Sequence, residues 1–306
     1  MRLGFDLVGI TDAAPVGDED IRHFRKWLDE GCAGQMSYMG RNFEKRVAPA
    51  KLLPGAKSVI VVALNYKHPA TINISVKSRP VGRIAGYAQY EDYHIVIRKQ
   101  LRCLVEYIDS IESGYKYKIC VDSAPIAERA LARRAGLGFT GRNHMLINPQ
   151  LGLQLFLAEI VTTLKLQTDT PLTDQCLNCD KCIRACPTGA LKQDGSFDTT
   201  RCISYLTIEH KSEIPHELQA GIANRLFGCD KCIEACPYNR QAPYTNNRLL
   251  ELHPEWESIC PEDILEMDEQ QFGQSFKHSA MRRLGLTRLK RNAQICMDNL
   301  SRARSD

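Results

Sequence analysis

No stretch of this 306-residue sequence is long and apolar enough to suggest a membrane span: the longest apolar runs, 59–64 and 155–164, fall well short of the roughly 20 residues such a helix needs. The first ten residues carry Arg2 and Asp6 and have no continuous apolar core with a small-residue cleavage site, so they do not read as a secretory signal. A cytoplasmic protein is expected. No Gly-x-Gly-x-x-Gly fingerprint and no Walker-type lysine loop is found, which leaves a nicotinamide or nucleotide mechanism without a foothold. Charge of one sign is also scarce, with a formal net of +4, too little by itself to imply a polyanionic partner. Disorder is excluded over most of the chain by 43% hydrophobic against 25% charged residues.

Cysteine, by contrast, is abundant. Eight of the thirteen fall between Cys176 and Cys236, and in a large chain without a secretory signal such clustering indicates metal rather than disulfides. Cys32, Cys103, Cys120, Cys260 and Cys296 are scattered through apolar or helical surroundings and read as small core residues. Cys176-x2-Cys179-x2-Cys182-x3-Cys186-Pro187 has the spacing of the bacterial ferredoxin run, and Cys202 with Cys229-x2-Cys232-x3-Cys236-Pro237 supplies a second site. In that framework the fourth cysteine of each run crosses to the other four-iron cluster. One cluster then takes Cys176, Cys179, Cys182 and Cys236, and the other takes Cys186, Cys202, Cys229 and Cys232. Zinc is the alternative, but zinc ribbons use two Cys-x-x-Cys pairs per ion, whereas these are triplets ending in Cys-Pro. Two adjacent clusters make a wire for single electrons. The wire does not name its acceptor.

The remaining pattern predicts mixed α and β structure, an α/β or α+β fold in three parts. Residues 1–166 mix β-branched runs at 7–10, 58–64, 117–121, 145–147 and 154–161 with helical spacing over 21–30, 94–113 and 124–135. Gly31, Gly114 and Gly136 stand at the helix ends, and Pro125 in the first turn of the third. Residues 167–245 form the ferredoxin-like domain, entered through the polar linker 167–173, and 246–306 a short helical region. Lys277, Arg282, Arg283, Arg288, Lys290, Arg291, Arg302 and Arg304 crowd that last part. They read either as an attractor of polyanions or as a solvated helical face.

The run Val121-Asp122-Ser123-Ala124-Pro125-Ile126-Ala127-Glu128-Arg129, followed by Arg134-Ala135-Gly136-Leu137-Gly138-Phe139 and Gly141-Arg142-Asn143, resembles the epoxyqueuosine reductases. So do Pro54-Gly55-Ala56-Lys57-Ser58-Val59, Asp92-Tyr93-His94, Tyr205-Leu206-Thr207-Ile208-Glu209-His210 and Asn224-Arg225-Leu226-Phe227-Gly228-Cys229-Asp230. The resemblance implies an oxidoreductase of tRNA queuosine synthesis, with base-off cobalamin in the first domain near the cluster that receives Cys202. It implies reduction of an epoxide on a cyclopentane ring to the alkene, and a tRNA anticodon loop as partner. A low-potential donor such as a flavodoxin or ferredoxin, no membrane and a monomer complete the expectation. An electron-transfer subunit, or a cobalamin reductase of small molecules related to the dehalogenases, stands as the alternative. The family pattern usually has a helix ahead of Leu3, and some members carry further helical repeats after a segment like 281–300; this sequence has neither stretch.

Asp122 is the candidate acid. It ends a predicted strand just before a predicted helix, where open α/β folds turn residues toward ligands, and it matches the acidic residue of the family motif. Capping of that helix is its plain structural alternative. By resemblance Tyr93 and Arg129 are assigned to the substrate site, and His210, Lys211 and Arg225, with the basic terminal region, to tRNA. Asp122, Leu146, Leu157 and Ile203 are assigned to contact cobalamin.

Overall fold

The computed structural model describes residues 3–69, 79–173, 176 and 178–302; Arg304 lies outside them. Its first half is built on strand β1 (Leu7–Asp12), helices α1 (Asp18–Asp29), α2 (Tyr38–Arg41), α3 (Phe43–Val47) and α4 (Pro49–Leu52), and β2 (Ser58–Asn65). Then come β3 (Arg83–Ile84), α5 (Tyr93–Asp109), β4 (Tyr117–Cys120), α6 (Glu128–Arg134), β5 (Phe139–Thr140), β6 (Leu146–Ile147) and β7 (Leu155–Thr162). The main sheet has the order β1-β2-β7-β4, and every ladder in it is antiparallel. Mixed α and β content is as expected, but the strands take the α+β form. A strand buried on both faces reads as a continuous apolar run in either kind of sheet, which is why the direction of pairing did not show in the sequence.

All eight residues of β2 are buried. Ile60, Val62 and Leu64 pack with Phe156, Ala158 and Ile160 under Tyr93, Ile97, Leu101 and Val105 of α5. Val59, Val61, Ala63 and Val161 face Leu131, Ala132 and Ala135 of α6 and the turn after it. The four buried residues of α5 recur every fourth position, one stripe on a helix of 3.6 residues per turn. Leu101 lies fully buried at the centre of that stripe, so Leu101→Ala is expected to cost about 2–5 kcal/mol, read as a lower denaturation midpoint with unchanged m-value.

Helix α6 begins at Glu128, four residues later than the spacing predicts, because the chain from Asp122 to Ala127 is a tight turn. It ends where expected, with Gly136 at φ 76°, a left-handed stop that glycine adopts without strain. Strands β5 and β6 form their own small hairpin.

The second half is short elements: α7 (Lys181–Arg184), α8 (Ile203–Ile208), α9 (His216–Ile222), β8 (Arg225–Phe227), α10 (Lys231–Glu234) and α11 (Pro237–Gln241). Helices α12 (Pro261–Glu266), α13 (Glu269–Ser275) and α14 (Leu286–Arg302) follow. Cys-Asp-Lys-Cys-Ile at 179–183 repeats at 229–233, and the repeat is structural. Asn178 and Gly228 precede the first cysteine with φ 51° and 72°, Asp180 and Asp230 stand before α7 and α10 with nearly the same backbone angles, and the two helices pack together. Strand β8 pairs with β3. Around that ladder Ile84, Leu226 and Phe227 share one core with Ile264, Phe272, Leu289 and Ala293, so the last helices are packed into the rest of the molecule.

Candidate active-site cleft and cluster module

After β4 the chain reverses at Asp122, whose φ of 49° is a left-handed conformation costing a non-glycine residue about 1 kcal/mol or more. The turn is held by the Asp122 amide, which donates to Glu128 Oε1 at 2.7 Å. Ala127, not Asp122, stands at the cap position of α6, so capping does not explain the aspartate. Its carboxylate points at α5 instead. His94 Nε2 lies 3.1 Å from Asp122 Oδ2, and His94 Nδ1 lies 2.6 Å from Asp92 Oδ1. Asp92 also caps α5, accepting the His94 amide at 3.0 Å. Tyr93 stacks its ring on His94 at 4.2 Å and on Phe156 at 4.2 Å. The tyrosine assigned to substrate is therefore a buried clamp on the imidazole, and the histidine beside it is the polar group.

Burial alone would lower the His94 pKa, but the bonds to Asp122 and Asp92 outweigh it and raise it to about 9. Burial would raise Asp122, yet the hydrogen bond and charge of His94, with Arg283 and Arg46, hold it below its ordinary value. Glu128 is pushed up to about 7 by burial and by the neighbouring Asp122 charge. Since His94 moves from 6.5 to about 9 on folding, its contribution to stability is complete below about 6.5 and is lost as pH rises through about 9. Asp122, shifted below 3.8, contributes above that value and ceases to do so as pH falls through its folded pKa. Melting temperature is expected to decline on both sides of this window, and the alkaline decline through pH 9 to be reduced in His94→Gln.

Solvent reaches Asp122 and Arg129, yet protein surrounds them closely enough for burial to be the largest influence on each. Both groups thus stand at a solvent-reachable but crowded part of the surface. Arg129 donates to the His144 carbonyl. Tyr38 and Arg46 are electrostatic neighbours of Asp122, and Tyr38 also of Arg283 and Glu209. Arg283 pairs with Glu209 at 2.9 Å, and Glu209 closes α8. Arg46 Nε is buried and has no hydrogen-bond partner among the described residues.

At the other end of α8, Cys202 occupies the cap position. The amides of Ser204 and Tyr205 favour its thiolate, though burial still raises the thiol, and they fall short of a formed cap bond. Cys236 caps α11 in the same manner, facing the amides of Tyr238 and Asn239. Thiolates are favoured at helix starts. The cysteines fall into two neighbourhoods. After burial, the charge of Cys176 is the next influence raising Cys182, and Cys236 feels Cys176 and Cys179. Cys202 feels Cys186, Cys229 feels Cys202, and Cys232 feels Cys202 and Cys229 most, with a smaller influence of Cys182 from the other set. Two sets of four thiols match the ligand count of two four-iron clusters.

Other expected contacts sit elsewhere. Arg225 is buried and donates to the Ile222 carbonyl at 2.9 Å, so its guanidinium is turned from any polyanion. Its position at the start of the fully buried strand β8 holds it there. His210 is tied to the Glu213 carbonyl at 2.9 Å, while the Lys211 side chain is exposed. Leu146 and Ile203 are core residues beneath the surface, and Leu157 alone of the three apolar candidates is partly open. In the basic terminal region, Arg288 donates to the Ile208 carbonyl and Arg291 to those of Leu206, His210 and Ser212. These two fasten α14 to α8; Lys277, Arg282 and Arg302 face solvent.

Two family models match the chain: a 4Fe-4S double cluster binding domain over residues 175–239 and "Epoxyqueuosine reductase QueG, DUF1730" over residues 46–123. It is similar to a curated epoxyqueuosine reductase of Vibrio cholerae, 39% identical over 300 residues, 98% of this chain and 81% of that one. One from Leadbetterella byssophila is 40% identical over 292 residues, 95% of this chain and 93% of the other. Among solved structures, an epoxyqueuosine reductase with a tRNA-Tyr epoxyqueuosine-modified stem loop aligns with TM-score 0.89 and 32% identity over 99% of this chain and 80% of that one. The Bacillus subtilis enzyme, described with its catalytic loop swung out of the active site, aligns with TM-score 0.90 and 31% identity over the same shares.

Proposed function

Because the chain belongs to the epoxyqueuosine reductase family, we propose that it reduces epoxyqueuosine in tRNA to queuosine with electrons passed through two 4Fe-4S clusters to a cobalamin in the Asp122 cleft. The observation that carries this reading is the position of Asp122, fixed by a left-handed turn where solvent reaches it and hydrogen-bonded to His94. One cluster takes Cys176, Cys179, Cys182 and Cys236, and its neighbour Cys186, Cys202, Cys229 and Cys232, in keeping with their electrostatic neighbourhoods. Helix α8 links the second cluster to this site, since Cys202 and Glu209 mark its two ends.

Cobalamin fits this cleft through its amide-rimmed edge. The unpartnered Arg46 Nε offers a donor to an amide carbonyl, and partly open Leu157 an apolar contact. When bound, the cobalt supplies low-potential electrons to the substrate carbon. The protein's own part is protonic: removing the epoxide oxygen as water takes two electrons and two protons, and Asp122 delivers protons to that oxygen. Arg129, anchored to the His144 carbonyl, lines the approach. Solvent-facing Lys211, Lys277 and Arg282 are placed to meet tRNA phosphates, and the modified base enters unstacked from the anticodon loop. The protein acts in the cytoplasm as a monomer, reduced by a flavodoxin or ferredoxin.

Anaerobically reconstituted protein, given a chemical reductant and tRNA bearing epoxyqueuosine, is expected to acquire a corrinoid spectrum and to yield queuosine by nucleoside mass analysis. Full cluster loading without corrinoid binding or product overturns the reading.

A further inference from the structure

We propose that His94 is the proton store of this site: its Nε2–H, 3.1 Å from Asp122 Oδ2, reprotonates the aspartate between the two proton deliveries of each turnover. The proposal rests on the reading of Asp122 as the group that protonates the leaving oxygen.

The proton count makes a store necessary. Converting the epoxide to an alkene breaks two C–O bonds, takes up two electrons from the clusters through the cofactor, and releases the oxygen as water with two protons. Asp122 can hold one proton at a time. With tRNA seated over the cleft, bulk water is a poor source for the second, whereas His94 is already in contact. Among the described residues the Asp122 side chain has no hydrogen-bond partner other than His94.

The geometry also favours one state of the imidazole. Both ring nitrogens face carboxylates, at 2.6 Å and 3.1 Å, and Asp92 Oδ1 is an acceptor already, since it takes the His94 amide. A ring that donates from both nitrogens is an imidazolium. The Tyr93 ring stacked on one face keeps it in plane with its two partners. Around this chain stand Arg46 from α3, Glu128 from α6 and Arg283 from the turn Ala280–Leu284. The two arginines favour an ionised Asp122 at rest, and Glu128 opposes them. A seated substrate desolvates Asp122 further, which favours its neutral form. Asp122 accordingly takes up a first proton from solvent as the substrate seats and gives it to the oxygen; the second then moves from Nε2 to Oδ2 and on to the oxygen, leaving Asp122 ionised and His94 neutral, to be recharged after product departs, with Asp92 holding its orientation.

Three measurements test this. His94→Gln keeps a donor toward Asp122 but has no proton to give; kcat is expected to fall by about 10²-fold while KM for tRNA changes less than about threefold and the cluster and corrinoid spectra stay unchanged. The wild-type rate is expected to fall above about pH 9, and this limb to vanish in the variant. In His94→Ala, added imidazoles are expected to restore turnover in the order of their acidity, whereas a simple cavity filler would restore it by size. His94→Gln at the wild-type rate with its alkaline limb intact, or rescue that follows size alone, overturns the proposal. Asp122→Asn at full rate overturns the proposal and the reading beneath it together; a slow Asp122→Asn beside a normal His94→Gln overturns the proton store alone.

Discussion

Asp122→Asn is expected to bind clusters, corrinoid and tRNA as the parent chain does and to turn over about 10²–10⁴-fold more slowly. Asparagine matches the shape of aspartate and is among the few residues that tolerate the left-handed backbone which the structure imposes here with φ 49°. Its carboxamide oxygen can still accept from His94 Nε2, so the turn and the imidazole keep their places. The lost ion pair involves a carboxylate half exposed to solvent, and such pairs contribute roughly 0–1 kcal/mol, so folding is not the cause of the defect. What disappears is the ability to carry a proton to the substrate oxygen. Single-turnover assays with pre-reduced protein isolate this step from electron delivery. A variant with normal product formation there would remove Asp122 from the chemistry and turn attention to Glu128, whose pKa of about 7 makes it the next proton source in the cleft.

The proposed crossed wiring of the clusters has an equally large consequence. Cys236→Ala is expected to lose the cluster of the first triplet although Cys236 belongs to the second, leaving about four irons per chain instead of about eight and no detectable turnover. Its residual spin-resonance spectrum should match that of Cys179→Ala, because both variants retain the cluster of Cys186, Cys202, Cys229 and Cys232. Uncrossed wiring would make Cys236→Ala resemble Cys229→Ala. The basis is the placement of Cys236 beside Cys176 and Cys179, with Cys202 beside Cys186, Cys229 and Cys232. The α7 and α10 repeat packs the two runs against each other, and Cys236 of one run feels Cys176 and Cys179 of the other.

Much of this was legible in the sequence. Cysteine spacing is a local signal and pointed to a double-cluster domain, the one whose family model matches residues 175–239, while β-branched runs marked β1, β2, β4 and β7. Glycines at 31 and 136 marked where helices stop, and both have positive φ. The rest depended on long-range geometry. Sheet direction was hidden because β2 and β7 are buried on both faces. The late start of α6 follows from a side-chain bond across the turn, Asp122 to Glu128, to which periodicity is blind. Asp92-Tyr93-His94 drew attention to its tyrosine, yet an aspartate at the start of a helical pattern with histidine two positions on was the usable clue: a cap residue reaches back over the first turn, where that imidazole lies. Arg225, Arg288 and Arg291 looked like their solvated neighbours, and only the carbonyls they meet distinguish them.

Helix α14 is pinned to the cluster module by Asn292, which is fully buried and donates to the carbonyls of Thr207 and Leu226. Thr207 lies on the helix that Cys202 caps, and Leu226 on the strand leading to Cys229. Two of the four thiols around one cluster are thus set by a segment that leaves the ribosome after every cysteine ligand has been made. At synthesis rates of about 5–20 residues per second, the ligand loops wait several seconds for their brace. The ligand set of that cluster is accordingly expected to be fully braced only once α14 has been synthesised.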